Sequence, residues 1–251
     1  MTKAAPVTSV TSVTSVTSTT RAFTQTMEHN MKLYGTKNSR SLRCAWALEE
    51  AAASYDYQRV YLMKGEGQSP EYKAINPHGK VPALVDGDMK LTESAAILFY
   101  IADKFPDAHL MPTDLAARAE VYRWTFYAVT EVEPQLWTIA QHRFALPEDK
   151  RVPAIEPTCL WLLARGFRAI EKALAAHAHI AGDDFTLADI MVTHCLTWAL
   201  SAKIEGVGEA SLAYIERMKA RPALQRASAR EKLEAERHEA LLAAKAGQVA
   251  G

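Results

Sequence analysis

Apolar and polar positions change their period several times along this chain, and the changes mark its elements. Residues 31–35, MKLYG, predict a short strand. The polar stretch TKNS then opens a helix in which Cys44, Ala47, Leu48 and Ala51 recur at i, i+3, i+4 and i+7, one apolar face. YQRVYL (57–62) alternates as a strand does, and SPEYKAI (69–75) suits a short helix with Pro70 in its first turn. NPHGK is turn chemistry. VPALVDGDMKLT (81–92) predicts a hairpin, two short strands around Asp86-Gly87. ESAAILFYIADKF (93–105) puts Ser94, Ile97, Leu98 and Ile101 on one helix face. The predicted order is β-α-β-α-β-β-α, a compact α/β domain.

PDAHLMPTD (106–114) breaks the pattern and reads as a linker. Beyond it only helical periods appear. LAARAEVYRWTFYAVTEVEPQLW predicts a long helix closed or kinked at Pro134, and PTCLWLLARGFRAIEKALAAH a second. FTLADIMVTHCLTWALSA opens with Thr186, has Asp189 three residues on and offers Phe185 as a staple, a reciprocal helix cap. EASLAYIERMKARP gives a further helix before Pro222. The charged stretch from residue 223 onward is helical by propensity and reads as a solvated terminal helix.

The N-terminal part is different in kind. VTSVTSVTSVTSTT (7–20) repeats every three residues with few bulky apolar side chains, so residues 1–30 are expected to be a disordered extension. A targeting signal or a translation start at Met27 or Met31 are alternatives.

Composition narrows the function classes. Lys+Arg and Asp+Glu balance at 29 each, which gives no electrostatic reason to expect nucleic acid or an anionic membrane as partner. No apolar run approaches the roughly 20 residues of a membrane-spanning helix. Cys44, Cys159 and Cys195 stand far apart, without CxxC or His/Cys clustering. That pattern argues against a disulfide framework or a metal site and fits a reducing, cytoplasmic compartment.

Three short stretches carry candidate chemistry. In VP, Pro82 at the head of a strand lacks a ladder N–H, which leaves the backbone of Val81 available to an extended ligand; an ordinary edge-strand proline is the alternative. In LTES, Glu93 and Ser94 stand where the hairpin meets a helix. Backbone N–H groups and the serine hydroxyl there suit a carboxylate, and Glu93 an ammonium, so the pair would hold an amino-acid zwitterion; plain helix capping is the alternative. In YGTKNSRSLRC, Ser39 lies at a strand-to-helix junction where a nearby thiolate would be stabilised, or it caps the helix. No His/Asp partner marks it as a hydrolase nucleophile.

Together, KLYGTKNSRSLRCAWALEE, NPHGKVPALVDGDMKLTESAAILFYIADKF and FTLAD resemble the cytosolic glutathione transferases, from Met31 to about Arg221. The resemblance implies an α/β thioredoxin-like N-terminal domain (31–107) that binds glutathione, an all-α helical domain (114–222), and a charged helical tail (223–251). It implies that Val81, before a cis Pro82, pairs with the cysteinyl part of glutathione. Glu93 and Ser94 would hold the γ-glutamyl end, Lys80 would approach a carboxylate, and Asp189 would be a folding element.

The family activates the thiol with Tyr, Ser or Cys near the first strand. Ser39, four residues before Arg43, matches the serine-type spacing, with Ser41 and Asn38 as rivals. Tyr34 falls too early, Arg40 occupies the cysteine-type position, and Cys44 falls on the apolar helix face. Ser39 would donate to the glutathione sulfur for attack on a small, apolar electrophile, with glutathione as co-substrate and no metal. Tyr122, Trp124, Tyr127, Trp137 and Gln141 are candidates for the far wall of the pocket. The resemblance also implies a homodimer, and its alternative reading is a non-catalytic binding or assembly module on the same fold.

Overall fold

The computed structural model describes residues 31–249; the expectations for residues 1–30 lie outside them. Four strands form one mixed sheet in the order β2-β1-β3-β4. Strand β1 (Met31–Gly35) runs parallel to β2 (Tyr55–Arg59) and antiparallel to β3 (Ala83–Asp86), which turns back into β4 (Met89–Thr92). The second strand starts two residues before the expected stretch, because Tyr55 and Tyr57 supply the inward positions of its period-two pattern. Helices α1 (Ser41–Glu50) and α3 (Ser94–Lys104) pack together over the sheet. Their apolar faces, Cys44, Ala47 and Leu48 on one and Ile97, Leu98 and Ile101 on the other, are fully buried, as their periodicity predicts. Short α2 (Pro70–Lys73) begins at Ser69, whose hydroxyl caps the Tyr72 N–H, and the Tyr72 ring meets Tyr34 of β1 at 5.8 Å.

The second half is helical. Helix α4 (Leu115–Tyr127) starts at Asp114, whose carboxylate accepts from the Ala117 N–H. A π-helical turn, Ala128–Val132, joins it to α5 (Glu133–Ala140), so Pro134 sits in the first turn of a continuing helix. Proline has no N–H to give to the preceding turn, and the wider π ladder accommodates the loss. Helices α6 (Glu156–Ala176), α7 (Leu187–Ser201) and α8 (Glu209–Lys219) complete the bundle around the nearly fully buried α7. Asp189 anchors it from inside. Its carboxylate accepts from the N–H groups of Ile180 (2.9 Å) and Thr186 (2.8 Å) and from the Tyr214 hydroxyl (2.7 Å).

Helix α9 (Pro222–Val249) corrects one expectation. It is helical, but it is not solvated all round. Ala223, Ala227, Glu231 and Ala235, four residues apart, are buried against α1 and β2. Arginines reach across the same seam: Arg221, just ahead of α9, to Glu50 (2.7 Å), and Arg226 and Arg230 of α9 to Glu49 (2.9 and 3.1 Å). The charges that suggest a solvated surface are the polar rim of a packed helix.

Candidate active site

Sheet register brings the three candidate stretches to one end of the α/β domain. Tyr34 of β1 pairs with Ala83 of β3, and Ala83 pairs with Thr92 of β4. The β1–α1 turn, the Val81–Pro82 pair ahead of β3 and the Glu93–Ser94 junction after β4 therefore converge. The Val81–Pro82 bond is cis, with Pro82 buried and Val81 half-buried.

Ser39 and Ser41 form the centre of the first turn. The Ser39 hydroxyl lies 2.7 Å from the Thr36 carbonyl and is hydrogen-bonded to the Ser41 hydroxyl. Ser41, fully buried, accepts from the Thr36 N–H at 3.1 Å, and its own N–H points at Ser39 Oγ at 3.2 Å. Ser39 is the half-exposed member, at the N-terminal end of α1 where unpaired N–H groups favour negative charge. Asn38 is exposed and holds the left-handed conformation of the turn, φ 60°, a position asparagine tolerates.

The Glu93–Ser94 junction is built differently. Glu93 is exposed with φ 67°, an uncommon conformation for a non-glycine residue of the kind that collects at ligand sites. Its carbonyl starts the ladder of α3 by accepting from the Ile97 N–H. Ser94 is buried beside it, and its oxygen accepts from Arg43 Nη1 at 3.1 Å, which leaves its own proton to donate.

Arg43 ties these turns to the helical domain. It is 1% exposed and pairs with Glu133 at the start of α5, 2.6 Å from Nη2 to Oε2; Arg40 pairs with the same carboxylate. Burial alone would raise the Glu133 carboxyl, but Arg43 and Arg40 outweigh it and hold it below the usual range. Arg43 Nη2 also meets His194 Nδ1 at 3.0 Å, and His194 Nε2 meets the Ser39 carbonyl at 3.2 Å. A guanidinium only donates and a carbonyl only accepts, so His194 carries its proton on Nε2. Burial, together with the Arg43 charge, lowers its pKa to about 3, which keeps the ring neutral. A neutral histidine of α7 thus holds the backbone of Ser39. Sequence reading used Arg43 only as a spacing mark and missed Glu133 and His194, since both reach the site from the other domain.

The remaining candidates divide. Cys44 is buried and its thiol is pushed up by desolvation, so it is a packing residue. The Lys80 side chain is exposed, while its carbonyl accepts from Tyr72 and Asn76, both at 2.6 Å. Trp124 is buried in the helical core against Tyr127, and Tyr122 packs on Phe99 of α3. Trp137 does reach the site. Its ring and that of Trp198, unforeseen from the sequence, flank the Arg40 guanidinium at 5.3 and 5.2 Å. Next to them lies a cavity of about 260 Å³ lined by Leu136, Ile139, Phe144 and Trp198. Gln141 opens the π-helical turn that follows α5. Among the described residues no cluster of three or more His, Cys, Asp or Glu could hold a metal ion, and no helix is long and apolar enough to cross a membrane.

Known proteins share this architecture. The family profile described as "Glutathione S-transferase, N-terminal domain" matches residues 29–103, and "Glutathione S-transferase, C-terminal domain" matches residues 162–230. Glutathione S-transferase Z2 of Arabidopsis thaliana is 36% identical over 175 residues, 67% of this chain and 76% of that protein. Glutathione S-transferase GstA of Escherichia coli O157:H7 is 32% identical over 207 residues, 81% of this chain and 100% of that protein. Among solved structures, the glutathione S-transferase from Xylella fastidiosa has a TM-score of 0.72 at 31% identity, covering 81% of this chain and 99% of its own. The theta class enzyme from Xanthomonas axonopodis pv. citri, solved with glutathione bound, has a TM-score of 0.67 at 28% identity, with coverages of 79% and 96%. The chain belongs to the glutathione S-transferase family.

Proposed function

We propose that Ser39 is the hydroxyl through which this glutathione transferase activates the thiol of glutathione. The observation that carries the reading is its position. Ser39 is half-exposed at the N-terminus of α1, with Ser41 and the Thr36 carbonyl fixing its oxygen and His194 fixing its backbone. Its one proton, donated to the Thr36 carbonyl at 2.7 Å in the free protein, turns to the sulfur anion of the bound ligand, which the α1 N-terminus also favours. The thiolate, rather than the thiol, then attacks the electrophilic carbon and displaces the leaving group or opens the bond.

The other contacts follow the same geometry. Val81 offers its backbone to the cysteinyl segment of glutathione, ahead of the first β1–β3 pair. Ser94 donates to the γ-glutamyl carboxylate and Glu93 accepts from its ammonium, with Lys80 near the glycyl carboxylate. The small electrophile sits against Trp137 and Trp198, beside the apolar 260 Å³ cavity. The exposed Phe126, with Phe99 and Tyr122 behind it, supports a homodimer built on α3 and α4. Buried free cysteines at 44, 159 and 195 suit the cytoplasm.

Curated relatives named as transferases favour catalysis over a non-catalytic module on the same fold. The test is conjugation of glutathione to an activated aryl chloride by the wild type, Ser39→Ala and Ser41→Ala. Loss of roughly 10²-fold in kcat/KM for Ser39→Ala supports the reading. Unchanged turnover in Ser39→Ala would move the role to another donor.

A further inference from the structure

The loop between β2 and α2, residues 61–68, has little packing of its own. Leu62, Met63, Lys64 and Gly65 are all exposed, and a segment that buries so little surface opens easily unless something else holds it. Gly67, near its end, is nevertheless buried against Gly79, two residues ahead of Val81. The fit is backbone on backbone: a Cβ on either glycine would run into the carbonyl oxygen of the other.

Helix α9 supplies the hold. His238 Nε2 lies 2.8 Å from Glu66 Oε1, and a carboxylate only accepts, so the histidine donates. The second oxygen of Glu66 accepts from the Tyr61 N–H at 2.6 Å, which closes the loop on itself. The Tyr61 ring meets His238 edge-on, with centroids 6.0 Å apart. Beside them Arg59, the last residue of β2, donates to the Ala235 carbonyl at 2.8 Å and pairs with Glu239 at 3.0 Å. Recorded contacts thus lead from His238 to Glu66 and, through its neighbour Gly67, to Gly79.

We propose that His238 is a positioning residue for glutathione: through Glu66 it holds Gly67 against Gly79, and so fixes the backbone of Val81 that receives the cysteinyl segment. The inference rests on that reading of Val81.

The approach to Val81 is held from two places. Tyr72 and Asn76 bind the Lys80 carbonyl, and the Asn76 carbonyl takes the Gly79 N–H at 2.9 Å. Those contacts come from α2 and the turn after it. Gly67 comes from the loop, and Gly79, at φ 65°, is a residue whose backbone changes conformation at little cost when that neighbour gives way. An extended ligand needs the N–H and C=O of Val81 aligned in advance, and slack there is lost affinity. Ser39 is held separately, by Thr36, Ser41 and His194, so slack at Val81 leaves thiol activation untouched.

The test measures the glutathione dissociation constant, the ionisation of the bound thiol and kcat at saturating glutathione for the full chain, His238→Ala, His238→Gln and Glu66→Ala. Glutathione methylated on its cysteinyl amide nitrogen, which cannot donate to the Val81 carbonyl, probes the path. His238→Ala weakens glutathione binding about fivefold, the worth of one backbone hydrogen bond, and keeps kcat and the thiol ionisation. His238→Gln, which keeps a side-chain N–H for Glu66, recovers the affinity. Added to Glu66→Ala, His238→Ala costs nothing further. The methylated ligand binds wild type and His238→Ala alike. Unchanged glutathione affinity in His238→Ala, or an equal loss for the methylated ligand, overturns this inference and leaves the roles of Val81 and Ser39 standing. A wild type that binds the methylated ligand as tightly as glutathione overturns the reading of Val81 and this inference with it.

Discussion

Arg43 donates to the Ser94 hydroxyl at 3.1 Å, joining the first turn of α1 to the first turn of α3 beneath the site. The same guanidinium pairs with Glu133 of the helical domain, so the two turns proposed to bind glutathione share one buried ionic anchor that crosses the domain boundary. Removing one partner of such a pair leaves a buried charge without compensation, which costs about 3 kcal/mol or more.

Glu133→Gln is therefore expected to lower the unfolding free energy by about 3 kcal/mol at neutral pH, read by urea denaturation. The sign with pH follows from the depressed carboxyl. Its contribution is fully present above the usual carboxylate range and is lost as pH falls through the folded-state value. The acid limb of the wild-type stability curve should flatten in the variant. A variant as stable as the wild type, with the same acid limb, would remove the anchor role.

Ser94→Ala separates binding from activation. With the hydroxyl gone, the affinity for glutathione should fall about tenfold, the value of a hydrogen bond to a carboxylate. The ionisation of the bound thiol should stay where it was. A shifted thiol with unchanged affinity would exchange the roles given to Ser94 and Ser39.

Gly35 is needed for close approach rather than for an unusual backbone angle. A Cβ there would lie 2.6 Å from Ser41 Cβ and 2.8 Å from Ser41 Oγ, and closer still to the Tyr57 hydroxyl. Gly35→Ala should destabilise the protein by about 1–3 kcal/mol and weaken thiol activation together, because it pushes apart the groups that hold Ser39. Thermal unfolding and thiolate absorbance on one preparation check both.

The sheet, α1 and α3 were legible because a period of two and a period near four are local properties. Leu33, Leu48, Leu84 and Ile101 stand in the core that those periods imply. Pro82 and the Glu93–Ser94 pair stood out as candidates because their chemistry is unusual for their place in a strand or a turn, and the fold brings them to one end of the domain. What escaped was pairing over long separations. Glu133 beside Pro134 reads locally as a helix boundary, and His194 in an apolar helix reads as core; only the fold puts both on Arg43. The packed face of α9 had a signal, Ala223, Ala227 and Ala235 in one four-residue register with Glu231 filling the gap, but arginine and glutamate around it dominate the average polarity.

The most direct test of the central claim is the pH titration of thiolate absorbance for glutathione bound to the wild type and to Ser39→Ala. The account predicts that the bound thiol ionises at least one pH unit below the value of about 8.5 for a free cysteine thiol in the wild type, and near that value in Ser39→Ala. Equal, depressed values in both proteins would contradict it, since the thiol would then be activated by a group other than Ser39.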